Sequence, residues 1–175
     1  MKAFAAVLAL SFPAAFLAPP ALAQAPSDAQ IAGIVVTANQ IDVDAGKLAK
    51  SKSKNKEVQK FAQQMITDHT AVNKQAAALA KKLGVKPADS ETSKSLKQGA
   101  KENIANLKKL KGPAFDKAYV DHEVAYHQAV LDAIDKVLVP SAQNAELKDL
   151  IVKVRPAFVA HLDHAKHLQE TVAKK

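Results

Sequence analysis

The sequence predicts an all-α protein: four long amphipathic helices in a bundle, with an extra helix crossing between the second and the third. Two observations lead there. Ala and Lys dominate the 175 residues and aromatics make up only 5%, a composition that suits long helices better than sheets. Apolar residues also recur at alternating steps of three and four through four separate stretches, the spacing of one helix face. No run of ten alternating residues offers a barrel strand.

The first 23 residues are expected to lie outside the fold. Lys2 is a minimal positive region, a short apolar run follows, and Ala21-Leu22-Ala23 forms a small-x-small cleavage site before Gln24, the pattern of a secretory signal peptide. Cleavage would leave residues 24–27 as a short tail, 28–172 as one bundle domain and no transmembrane segment. The expected location is the periplasm. The chain has no Cys, so neither a cysteine-linked lipid nor a disulfide contributes.

Ser27 followed by Gln30 is a capping-box pattern that starts a first helix over 28–51. Its ladder is Ile31, Val35, Ala38, Asp42, Ala45 and Ala49. The second helix, 55–83, carries Val58, Ala62, Met65, His69, Val72, Ala76, Leu79 and Leu83, and Gly84 supplies its left-handed stop. Residues 92–111 are helical by propensity but weakly patterned. At ~1.5 Å per residue twenty residues span ~30 Å, enough to carry the chain back along a bundle. Gly112 stops this crossover and Pro113 opens a helix over 113–138, with ladder Val120, Val124, His127, Leu131, Ile134 and Leu138. Pro140 is expected to end it. The last helix, 143–172, reads Leu147, Ile151, Val154, Phe158, His161, Ala165, Leu168 and Val172, with Pro156 expected to kink it a turn before His161. Two hairpins joined by such a crossover make the second and third core helices parallel, the plan of a ferritin-like bundle.

Each ladder has one polar step: Asp42, His69, His127 and His161. The spacing puts all four at about one depth. A buried polar group needs a hydrogen-bond partner or a metal, and three imidazoles with a carboxylate suit a divalent transition ion such as Zn, Cu, Mn or Fe. The competing explanation is a self-satisfied Asp–His network. Supporting positions are Glu123, a turn before His127; Asp68, beside His69; Asp116 and Tyr119, nearer the start of that helix; and His164, a turn beyond His161. His122 and His167 fall off the stripes and are expected to face solvent.

Several functions are excluded or weakly supported. There is no G-x-S-x-G, Gly-rich phosphate loop or H-E-x-x-H. A di-iron ferroxidase wants carboxylate-x-x-His on two helices, but Ile66 and Phe158 precede His69 and His161 at that spacing. The formal charge of +8 falls to +7 once Lys2 is removed, which allows weak association with anionic envelope surfaces. The lysines alternate with Ala and Leu rather than with stacking aromatics, so nucleic-acid binding is not expected.

The runs FAQQMITDHT (61–70) and GPAFDKAY (112–119), with His127 and the Pro156…His161 pair, resemble the exported bacterial domain-of-unknown-function family 4142. The resemblance spans residues 28–170. It implies a ferritin-like bundle in the periplasm or envelope, with Asp68, His69, Phe115, Asp116, Tyr119, His127 and His161 as signature positions. Members usually carry Glu where this chain has the shorter Asp42. The family has no settled activity, so the resemblance implies fold and compartment rather than a reaction. The expected function is therefore a periplasmic bundle that binds a divalent transition metal for buffering or envelope stress. The alternative is a non-enzymatic envelope protein whose Asp–His cluster is a buried hydrogen-bond network. A metal-dependent redox enzyme is a third reading, though no substrate pocket is legible.

Overall fold

The computed structural model describes residues 25–173; the expected signal segment and its cleavage site lie outside these. Every regular element among the described residues is helical: α1 Asp28–Lys52, α2 Lys56–Leu83, α3 Glu91–Lys109, α4 Gly112–Ala133, a π-helical turn Ile134–Leu138, a short α5 Val139–Ser141, and α6 Ala145–Val172. None is long and apolar enough to cross a membrane.

The ends are set by local chemistry. Ser27 and Gln30 form the reciprocal capping box on α1, Asn55 caps α2, and Gly84 ends it at φ 64°. Ser90 and Ser93 cap α3 reciprocally. Gly112 turns the chain at φ 55° just before Pro113 enters the first turn of α4. Pro140 does not end its helix at residue 138. A Pro ring clashes with the carbonyl four residues earlier; the helix widens into the π turn and carries Pro140 in the short α5 instead. α6 runs without interruption through Pro156.

Contacts at the two ends give the directions. At one end the Asp28 carboxylate accepts from the backbone N–H of Gln143 and Asn144, both at 2.9 Å, and Ala88 N–H donates to Ala29 C=O at 2.8 Å. At the other, Lys52 Nζ donates to the Leu107 and Lys108 carbonyls at the C-terminus of α3, so this lysine is a helix cap rather than a purely solvated charge. Phe61 meets Tyr119 and, eight residues on in both helices, His69 meets His127. α2 and α4 therefore run parallel and α3 is the crossover, as the two-hairpin plan requires.

Apolar packing divides along the bundle. Phe61, Met65, Phe115, Tyr119, Val120 and Leu168 belong to one cluster, and Ile31, Ile34, Ile134, Leu138, Leu147 and Ile151 to another. On every core helix the polar ladder step lies between these two clusters. α1 is buried on more of its circumference than its stripe suggests, including Gly33, Asn39, Val43 and Gly46, because α2, α3 and α4 all pack against it.

A buried imidazole and carboxylate layer

His69, His127 and His161 are each no more than 2% exposed. Their ring centroids lie 5.1–5.5 Å apart, and one ring nitrogen of each lies within 4.8 Å of the others. Phe158 covers this triangle, its ring edge-on to His69 at 5.1 Å.

One nitrogen of each imidazole is tied to an outward acceptor. His127 Nδ1 lies 3.0 Å from the Glu123 carbonyl; a carbonyl only accepts, so Nδ1 carries the proton. His69 Nδ1 lies 2.8 Å from Asn39 Oδ1, and the Asn39 amide is oriented by its own donation to Val35 C=O at 2.8 Å. That leaves Oδ1 to accept from Nδ1–H of His69. His161 Nε2 donates to Asp68 Oδ2 at 2.9 Å. The remaining nitrogens, Nε2 of His69, Nε2 of His127 and Nδ1 of His161, are buried and have no hydrogen-bond partner among the described residues. All three are lone-pair nitrogens.

The carboxylates form the adjoining part of the layer. Asp42 Oδ2 lies 3.5 Å from His69 Nε2, and Glu123 Oε2 lies 3.5 Å from His127 Nδ1. Atoms of Asp42, Glu123 and His127 also fall within 4.8 Å of one another. Asp42 Oδ2, both Glu123 carboxyl oxygens and the Tyr119 hydroxyl complete no hydrogen bond.

Burial sets the charge states. It lowers His69 to about 2, assisted by His127 and His161, and lowers His127 to about 4. His161 is lowered by burial, against the pull of Asp68. Burial raises Glu123 to about 8 and raises Asp42 well above the carboxylate range, with the facing Glu123 adding to it. Tyr119 is raised by burial and by Glu123. At neutral pH the layer thus holds neutral imidazoles and a carboxyl pair that retains protons.

The structure thus brings together Asp42, His69, His127 and His161, the four residues that break the apolar ladders. Of the five supporting positions, Glu123 lies inside the layer and Asp68 braces His161. Tyr119 sits a turn before Glu123. Asp116 is buried but eleven residues before His127, ~16 Å along a helix. His164 bonds Gln64 at 3.1 Å and packs on Phe61, away from the layer. His122 does not face solvent as expected: it is half-buried and stacks on Tyr126 at 5.5 Å, in a groove roofed by α3. Asn39 was not anticipated. Its only signal was its place three residues before Asp42, on the same side of α1.

A family model described as Domain of unknown function (DUF4142) matches residues 13–168. No curated protein and no solved structure matches the chain.

Proposed function

The chain belongs to the family DUF4142, and from its buried layer we propose that it binds one divalent transition metal through His69 Nε2, His127 Nε2 and His161 Nδ1, with Asp42 or Glu123 completing the set. The observation that carries this reading is the division of labour within each imidazole. One nitrogen is anchored by an amide, a carbonyl or a carboxylate, and the other is buried and unpartnered among the described residues, with a ring nitrogen of each residue within 4.8 Å of the others. Ligating histidines are held in this way by their second nitrogen. Nitrogens ~2.0–2.1 Å from a tetrahedral metal sit roughly 3.3–3.4 Å apart, so the present grouping, within 4.8 Å, would draw in by up to about 1.5 Å around the ion.

A pure hydrogen-bond network is less well supported. It would pair these atoms with one another, yet six of them remain orphaned: the three nitrogens, Asp42 Oδ2 and both Glu123 oxygens. At about 1–3 kcal/mol for each unmet buried group, the sum rivals the ~5–15 kcal/mol net stability of a domain. A shared proton between Asp42 and Glu123 offsets part of this, and an Asp42 proton facing His69 Nε2 at 3.5 Å a little more; Nε2 of His127 and Nδ1 of His161 keep their share. Nitrogen-rich donors suit Zn, Cu and Fe, and the carboxylates widen the set to Mn. The chain's own residues supply three neutral imidazoles in fixed orientations, a carboxyl that would give up its proton on binding the ion, and a buried setting. Export through residues 1–23 would place this centre in the periplasm, in a buffering or stress-protection role rather than an enzymatic one.

Elemental analysis of purified mature protein, before and after chelator, tests the proposal directly. Thermal unfolding of chelated protein with Zn²⁺, Cu²⁺, Mn²⁺ or Fe²⁺ added separately is the companion measurement. A ligand at 100 times its Kd adds about 2.7 kcal/mol, roughly 5–10 °C for a bundle of this size. At least one ion should raise the parent midpoint by that order and leave His69→Ala unmoved, while His167→Ala, on the exposed face, should respond like the parent. If no ion separates the parent from His69→Ala, the metal reading is wrong.

A further inference from the structure

Beyond the imidazole layer, toward the end where Asp28 meets the α5–α6 loop, lies a cavity of about 140 Å³. Its wall is almost wholly apolar and includes Ile134, Leu138, Ile151, Val154 and Phe158. Three polar side chains also line it: Thr92 at its exposed rim, and Asn39 and Tyr126, which direct their hydrogen bonds elsewhere. Asn39 donates to Val35 C=O and accepts from His69; the Tyr126 hydroxyl donates to Ala38 C=O at 3.2 Å. Thr92 of α3 and Ala129 of α4 belong to the lining and are exposed, so the space reaches the surface between these two helices.

We propose that this cavity is a binding site for a small, uncharged, apolar molecule about the size of benzene, entered between α3 and α4 and ending against Phe158. Size and chemistry both point to that class. A cavity of ~150 Å³ lined by Leu, Ile and Phe stays dry and accepts benzene or xenon. No charged side chain lines the present one, so an ion or a sugar would lose its water without finding a partner. The site is also placed to communicate. Phe158 separates it from the imidazoles and packs edge-on against His69, and Asn39 touches both the cavity and His69 Nδ1. An occupant therefore presses on the two residues that orient His69. The proposal holds whether or not a metal is bound.

The test uses benzene and the chelated full-length bundle, with Ala133→Leu and Val154→Phe as variants that fill the cavity from two different helices. Benzene at ten times its Kd should raise the parent midpoint by roughly 3–6 °C and shift the His69 imidazole resonances. Each folded variant should show less than half that rise. No rise in the parent, or an equal rise in parent and variants, overturns the proposal. If neither variant folds, xenon-pressurised crystals of the parent decide: a xenon peak inside this wall supports the site, and its absence overturns it.

Discussion

Asn39 decides which nitrogen of His69 faces the interior. Its amide is pinned by the Val35 carbonyl, so only an oxygen is presented to Nδ1, and Nε2 is left with its lone pair in the buried layer. Asn39→Ala removes that acceptor and frees the ring to flip or change tautomer. We expect a stability loss of about 1–3 kcal/mol from the unmet donor and a 10–100-fold loss of metal affinity, measured by competition with a chromophoric chelator. An affinity equal to that of the parent would show that Asn39 does not orient the ligand. The histidines themselves were legible because each interrupts an apolar ladder. Asn39 was not: on α1, packed on by three helices, a polar side chain beside the stripe looks the same whether it is buried or exposed.

At the scale of the elements, the helices were readable from period, caps and stops, while close approaches between backbones were not. Gly33 shows why. A Cβ there would lie 2.0 Å from the carbonyl oxygen of Ala88, in the loop between α2 and α3. That contact joins residues 55 positions apart, and nothing local announces it. Gly99 has nothing within 4 Å of its Cβ position and sits inside α3. Gly33→Ala should cost about 1–3 kcal/mol by overpacking, whereas Gly99→Ala should gain ~0.5–1 kcal/mol from helix propensity. Urea unfolding of the two variants checks the contact, and a neutral or stabilising Gly33→Ala would refute it. The π turn was equally hidden: Pro140 announced a disruption but not its form. A widened turn and a chain stop both relieve the same ring–carbonyl clash, and only the packing around Ile134 and Leu138 chooses between them.

At the scale of the whole molecule, a polar layer interrupts two apolar clusters, so stability should carry the ionisation of that layer as a signature. His69 and His127 have folded-state pKa values below the ordinary 6.5, at about 2 and about 4. Their contribution is present above pH 6.5 and is lost as pH falls through those values. Glu123 is displaced the other way, from 4.5 to about 8. Its contribution is complete below 4.5 and is lost as pH rises from there through 8, because the unfolded carboxyl ionises near 4.5 while the buried one holds its proton until about 8. The chelated protein should accordingly be most stable near pH 6.5, losing stability below that as the unfolded histidines take up protons and above it, toward pH 8, as the buried carboxyl resists ionising. Glu123→Gln keeps a neutral side chain of nearly the same shape and should remove the Glu123 share of that decline, a difference of a few kcal/mol at pH 8, leaving the share of the buried Asp42. The proposed metal would act in the opposite sense. It takes a deprotonated carboxylate, so the midpoint rise it produces should grow as pH increases from 6 to 8, rather than level off once ordinary histidines have lost their protons near 6.5. Thermal midpoints of parent and Glu123→Gln across pH 4–9, with and without the stabilising ion, separate these effects. A chelated parent that gains stability steadily up to pH 8, with Glu123→Gln following the same curve, would mean that Glu123 is not held protonated in the layer.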